Sequence, residues 1–222
     1  MVSLLAFTSC ASEYKIEGSS SVSRLDGKML FVKVPSGDRM LSIDSAEVIH
    51  GMFKMEGITD STSMASLYMD DESIMPFVIE KGKISISIDN ARIVVTGTPL
   101  NDRLYDFVGK KTSLDDRAYE LESRMIMDGK APDEIQREIT REREKLAAEM
   151  NALAKEFIQK NYDNVLGPGV FIMLCSNFPY PVMTPLIEEI IEEAPDRFKN
   201  NSLVKDYVTV ARSNMEKLKA PH

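Results

Sequence analysis

Two cysteines, two histidines and a few runs of carboxylates are the side chains of this 222-residue chain that could do chemistry. Cys175 ends the apolar run Val170-Phe171-Ile172-Met173-Leu174-Cys175. Such a setting raises a thiol's pKa and hinders access to it, so a buried structural cysteine is expected. His50 stands before Gly51 in an expected hairpin turn, where tolerance of positive φ is reason enough for a histidine. His222 is the last residue. Two histidines so placed offer neither a Ser–His–acid triad nor a multi-histidine metal site, and two cysteines are too few for a thiolate-only zinc site. Asp70-Asp71-Glu72 could hold Ca²⁺ but lacks the ordered spacing of a dedicated loop. Glu188, Glu189, Glu192 and Glu193 fall on successive helical turns and read as a solvated face. There is no G-x-G-x-x-G, P-loop or G-x-S-x-G pattern. No catalytic, cofactor-binding or metal-binding residue is therefore expected, and the chain is read as a non-enzyme.

Cys10 differs. It follows Val2–Phe7, a short and mostly apolar run, and the small residues Thr8 and Ser9. This order resembles the end of a bacterial lipoprotein signal peptide, in which the chain is cut before the cysteine and the thiol is acylated. No Lys or Arg precedes the run, so the start of such a leader is expected upstream. The alternative is a frayed N-terminus carrying an ordinary cysteine. If Cys10 is acylated, several chains at about 0.8 kcal/mol per buried CH₂ make the anchoring effectively permanent. Cys175 is then left without a partner in the chain, and neither a disulfide nor a C-x-x-C pair is available.

With 27 basic and 35 acidic residues the net charge is −8, and no basic block occurs. Phosphate neutralisation needs clustered Lys and Arg, so nucleic acid is not an expected partner. Apolar residues make up 43% of the chain and charged ones 28%, as in an ordinary globular protein. The 14 methionines sit mostly at apolar positions and read as core filler. Tryptophan is absent, which disfavours a glycan platform. Asp44-Ser45-Ala46 is also a short pattern that some Gram-negative bacteria O-glycosylate, although a plain strand accounts for it as well.

These residues must be positioned by elements of two kinds. Residues 13–97 read as about eight short strands: Tyr14–Gly18, Met29–Val34, Met40–Val48, Met52–Gly57, Met64–Met69, Met75–Glu80, Ile84–Ile88 and Ile93–Gly97. Ile84-Ser85-Ile86-Ser87-Ile88 shows the alternation most plainly. Asp26-Gly27, His50-Gly51 and Lys81-Gly82 supply turns. The expectation is an antiparallel β-sandwich or barrel, making the fold class α+β.

At Thr98 the period changes. Thr98 is expected to cap a helix that Pro99 opens, and a break at Asp128-Gly129-Lys130 is followed by a second helix from Pro132. There Ile139, Leu146 and Leu153 repeat every seven residues, as do Met150 and Phe157, giving the inner seam of an antiparallel helix hairpin or, alternatively, of an intermolecular coiled coil. Asn164–Gly169 reads as a turn and Val170–Cys175 as a helix or strand. Thr184-Pro185 opens a helix to Glu193. Ser202 is expected to cap the last helix, with Leu203, Val204, Tyr207, Val210, Ala211, Met215 and Leu218 buried. The expected organisation is an anchor over 1–12, a β domain over 13–97 and an all-helical domain over 98–219.

The order of several segments resembles a known family. They are Tyr14-Lys15-Ile16-Glu17-Gly18 soon after Cys10, Ser42–Val48 followed by Gly51-Met52-Phe53, Phe77–Ile84, and Thr96-Gly97-Thr98-Pro99-Leu100-Asn101-Asp102. Together they resemble the domain-of-unknown-function family that precedes the thioredoxin-like domain in TlpA-like bacterial thiol–disulfide exchange lipoproteins. The catalytic C-x-x-C of that second domain has no counterpart here, so no redox role carries over to a residue of this chain. The resemblance implies an exported protein, lipid-anchored in the cell envelope and facing the periplasm or the cell surface. Its expected role is to bind or position an unknown protein partner. Two rivals remain: an accessory half of a thiol–disulfide system, and a small-ligand-binding β domain with a pocket lined by Tyr14, Tyr68 or Phe77.

Overall fold

Period-2 alternation becomes strand in the first hundred residues and helical periodicity takes over afterwards. The computed structural model describes residues 12–37, 39–127 and 132–219. Cys10 and the apolar run before it, the Asp128–Lys130 segment and His222 lie outside them. The strands are β1 (Ser12–Ser20), β2 (Met29–Ser36), β3 (Arg39–Glu47), β4 (Met52–Thr59), β5 (Ser63–Met69), β6 (Glu72–Ile79), β7 (Gly82–Ile88) and β8 (Ile93–Thr96). They form two four-stranded sheets, ordered β4-β1-β7-β8 and β3-β2-β5-β6. The helices are α1 (Pro99–Met127), α2 (Pro132–Lys160), α3 (Leu166–Cys175), α4 (Pro185–Glu193), α5 (Asp196–Lys199) and α6 (Ser202–Lys219). The fold is α+β.

One core fills the sandwich. Ile84, Ile86 and Ile88 are buried in it with Ile16, Leu30, Val32, Leu67 and Phe77, whereas Ser85 and Ser87 alternate with the isoleucines and are less buried. The sandwich is not wholly antiparallel: β1 pairs antiparallel with β4 but parallel with β7, from Tyr14 opposite Gly82 to Ser20 opposite Ile88. Between β1 and β7 the chain builds the other sheet, so this pairing is non-local. His50 and Gly51 both have positive φ (52° and 74°), as a two-residue type I′ turn requires. Ile49 and Met52 exchange backbone hydrogen bonds of 2.9 and 3.0 Å across it. This turn carries the chain from β3 of one sheet to β4 of the other. Tyr14 links the sheets again, donating to Asp44 Oδ2 at 3.0 Å. Gly57 leaves room for it, since a Cβ there would lie 2.6 Å from Tyr14 Oη.

The chain divides into two compact units, up to Tyr105 and from Asp106. The division falls after Tyr105 rather than at Thr98 because the first turns of α1 are bonded to β6. Glu80 Oε1 accepts from the amides of Leu100 (2.9 Å) and Asn101 (3.2 Å). These are first-turn donors without a helical partner, so Glu80 takes the capping role expected of Thr98. The hydroxyl of Thr98 instead accepts from Asn101 Nδ2 at 2.8 Å. The Asn101 carboxamide accepts from Val78 N and donates to Val78 O, both at 2.8 Å. Tyr105, one turn on, donates to the carbonyl of Pro76 at 3.0 Å. An edge strand is thus finished by side chains of a helix.

In the second unit α1 and α2 touch in antiparallel register. The Phe107 and Phe157 ring centroids are 4.5 Å apart, and Arg117 Nη1 meets Glu149 Oε2 at 2.7 Å, so residue numbers rise on one helix as they fall on the other. Leu146 is buried together with Ala154 and Ile158, whereas Ile139, Met150, Leu153 and Phe157 are half-buried. The expected turn at Asn164–Gly169 is in part helix, because α3 begins at Leu166. Pro168 fits there since first-turn amides have no helical partner. A Cβ on Gly167 would meet Asn161 O at 2.4 Å. Thr184 caps α4 as expected, its Oγ1 accepting from Ile187 N at 3.3 Å. For α6 the cap is Asn201, whose Oδ1 accepts from Leu203 N at 3.1 Å, and not Ser202. Its buried row is Val204, Val208 and Ala211. Leu203, Val210 and Leu218, expected inside, are exposed.

Candidate functional site

Cys175 closes α3 with 3% of its surface exposed. Desolvation pushes its thiol up to about 12, against a small lowering by the hydrogen bond to Tyr207. Tyr207 is itself fixed, donating to Val182 O at 3.0 Å and accepting from Val182 N at 3.1 Å. A thiol so held is protonated at neutral pH and shielded from attack. It is a packing residue, and Phe171, whose ring meets that of Tyr207 edge-on at 5.8 Å, belongs to the same cluster.

The other sequence candidates are dispersed. His50 is exposed in its turn. Asp70, with φ of 53°, makes the turn between β5 and β6. Among the described residues no group of three or more His, Cys, Asp or Glu is placed to hold a metal ion. The glutamates of α4 do structural work: Lys155 Nζ of α2 reaches Glu189 at 2.7 Å and Glu193 at 2.9 Å. Those carboxylates, through their hydrogen bonds first, hold the Lys155 ammonium above its ordinary range. Tyr14 and Phe77 are packed in the sandwich core. Lys33 Nζ lies over the Tyr68 ring, 4.4 Å from its centroid.

Concave surface does occur in the helical unit. Two hollows share Ile191 and Glu192 of α4 and Arg212 of α6. One, of about 370 Å³, adds Met183, Glu188, Met215 and Glu216. The other, of about 510 Å³, has Ile191, Val204 and Val208 as an apolar floor and Lys199, Lys205 and Arg212 as a basic rim. The residues that line the two hollows include no Ser, Cys or His. The periodicity of α6 marks Val204 as buried, but it does not mark Val208 or the Arg212 rim. Which helices face one another is not written in either helix's own periodicity.

Among the described residues no helix is long and apolar enough to cross a membrane. Comparison with known proteins gives no match among curated proteins or solved structures. Residues 14–104 match a protein family described as a domain of unknown function. That match starts at Tyr14 in β1 and ends at Leu104 in α1, within the first compact unit. The sandwich, with the helical turns that close β6, is the part of the chain that matches this family, DUF4369.

Proposed function

We propose that this chain is a non-catalytic module of the bacterial cell envelope, anchored by acyl chains on Cys10 and serving to bind or position a protein partner. The observation that supports the binding role most is the pair of adjoining hollows between α4 and α6. A floor of Ile191, Val204 and Val208 under a rim in which Lys199, Lys205 and Arg212 outnumber Glu192 suits an amphipathic segment with acidic residues. Contacts of that kind draw affinity from the apolar floor and specificity from the charged rim. The buried, protonated Cys175 supports the non-catalytic part, because a dithiol cycle needs an accessible attacking sulfur and a resolving one.

The test is co-purification from envelope extracts. Lys205→Glu and Arg212→Glu reverse exposed rim charges without touching the floor. A partner retained by the unsubstituted chain is expected to be lost from both variants while their circular dichroism is unchanged. Equal retention by all three would remove the hollows as the docking surface.

A further inference from the structure

The two flanks of the sandwich are finished differently. On the β6 flank the outer groups of the edge strand are taken by Asn101 and Tyr105. On the other flank β3 is paired only with β2 and β4 only with β1. There Met40, Leu41 and Ile43 of β3 are 41%, 54% and 38% exposed, and Ile58 of β4 is 69% exposed. Apolar residues exposed singly are ordinary, but these four share one end of two edge strands. β3 and β4 leave the His50-Gly51 turn together, and Ile43 and Ile58 lie equally far along the chain from the bridged pair Ile49 and Met52. At about 3.3 Å per residue that is roughly 20 Å from the turn.

The chain enters the sandwich at this same end, for Ser12 pairs with Thr59 and Glu13 with Ile58. A single residue, Ala11, separates Cys10 from Ser12, and two Cα steps reach at most about 7 Å. Resting on the lipid anchor proposed above, we propose that this end of the sandwich lies against the bilayer, with Met40, Leu41, Ile43 and Ile58 in the interfacial layer. Acyl chains held so close leave no tether long enough to lift the patch clear of the headgroups. The charged residues here, among them Glu13, Lys33, Arg39, Asp44 and Asp60, carry no positive surplus, so the contact is apolar and a zwitterionic bilayer suffices. Arg39 has a stem long enough to reach the headgroups while its neighbours go deeper.

The chain contains no tryptophan, which allows single reporters. Leu41→Trp and Ile58→Trp probe the proposed contact. Ile49→Trp probes an equally exposed site at the far end of the same flank. Each lipid-modified full chain is placed in phosphatidylcholine vesicles with brominated acyl chains. The expected result is blue-shifted, quenched emission for Leu41→Trp and Ile58→Trp and neither effect for Ile49→Trp. No quenching at any site while the protein floats with the vesicles overturns the contact and leaves the anchor standing. A blue shift without quenching overturns it too, and points to a second copy or another protein over the patch. Quenching at all three sites means the flank lies flat, against the end-on arrangement. Failure of the unsubstituted chain to float, or equal flotation of Cys10→Ser, removes the anchor and this proposal with it.

Discussion

At the residue scale, the carboxamide of Asn101 does for β6 what a neighbouring strand would do, supplying one acceptor and one donor to Val78. Asn101→Ala leaves both backbone groups without a partner in a fully buried place. Each such loss costs about 1–3 kcal/mol, so the variant is expected to lose about 2–6 kcal/mol in urea melts. A cost near zero would mean that water reaches the strand edge. Neither Asn101 nor Glu80 was legible as a capping residue in the sequence. Their partners lie twenty or more positions away, and a bond across that distance leaves no local period. His50 was legible because positive φ favours a few residue types before glycine. Cys175 was legible from its apolar neighbours, and its burial has a consequence at alkaline pH. The folded thiol keeps its proton up to about 12, while an unfolded one releases it from about 9 upward. The folded state therefore binds more protons in that window, and stability falls as pH rises through it. Below about 9 the thiol contributes no pH dependence. Denaturant midpoints measured across the window are expected to decline less steeply in Cys175→Ala; an unchanged slope would show that the thiol titrates normally.

At the element scale, alternation placed all eight strands within a few residues, since side chains one period apart share a face whatever the topology. The parallel pairing of β1 with β7 was not legible, because the same alternation fits either direction. Gly167-Pro168-Gly169 read as a turn because both residue types break helices, yet the first helical turn tolerates them. The exposed Leu203, Val210 and Leu218 show the opposite failure: an apolar residue at helical spacing need not face the core. The α2 seam reads correctly at Leu146, which is 8% exposed. Leu146→Ala is expected to cost about 2–5 kcal/mol, as for other large-to-small core changes. That cost should stay constant over a hundredfold range of protein concentration, because α1 already meets α2 at Phe107 and Phe157. A cost that varies with concentration would mean an intermolecular coiled coil instead.

At the scale of the whole molecule, a sandwich that matches the DUF4369 family model is followed in the same chain by a helical unit that carries two adjoining hollows. The two units meet in sequence inside α1, which is why a change of period at Thr98 marked the junction early by about two turns. The proposed envelope role depends most on Cys10, because the proposed membrane attachment, the proposed position of the apolar end of the sandwich and the proposed place of a partner all follow from its acylation. Its most direct test is metabolic labelling in bacteria with a palmitate analogue, comparing the full chain with Cys10→Ser. The account predicts label on the unsubstituted chain, carried into the membrane fraction, and none on Cys10→Ser. Equal labelling of the two, or an unlabelled chain that leaves the membrane fraction in salt, would contradict it.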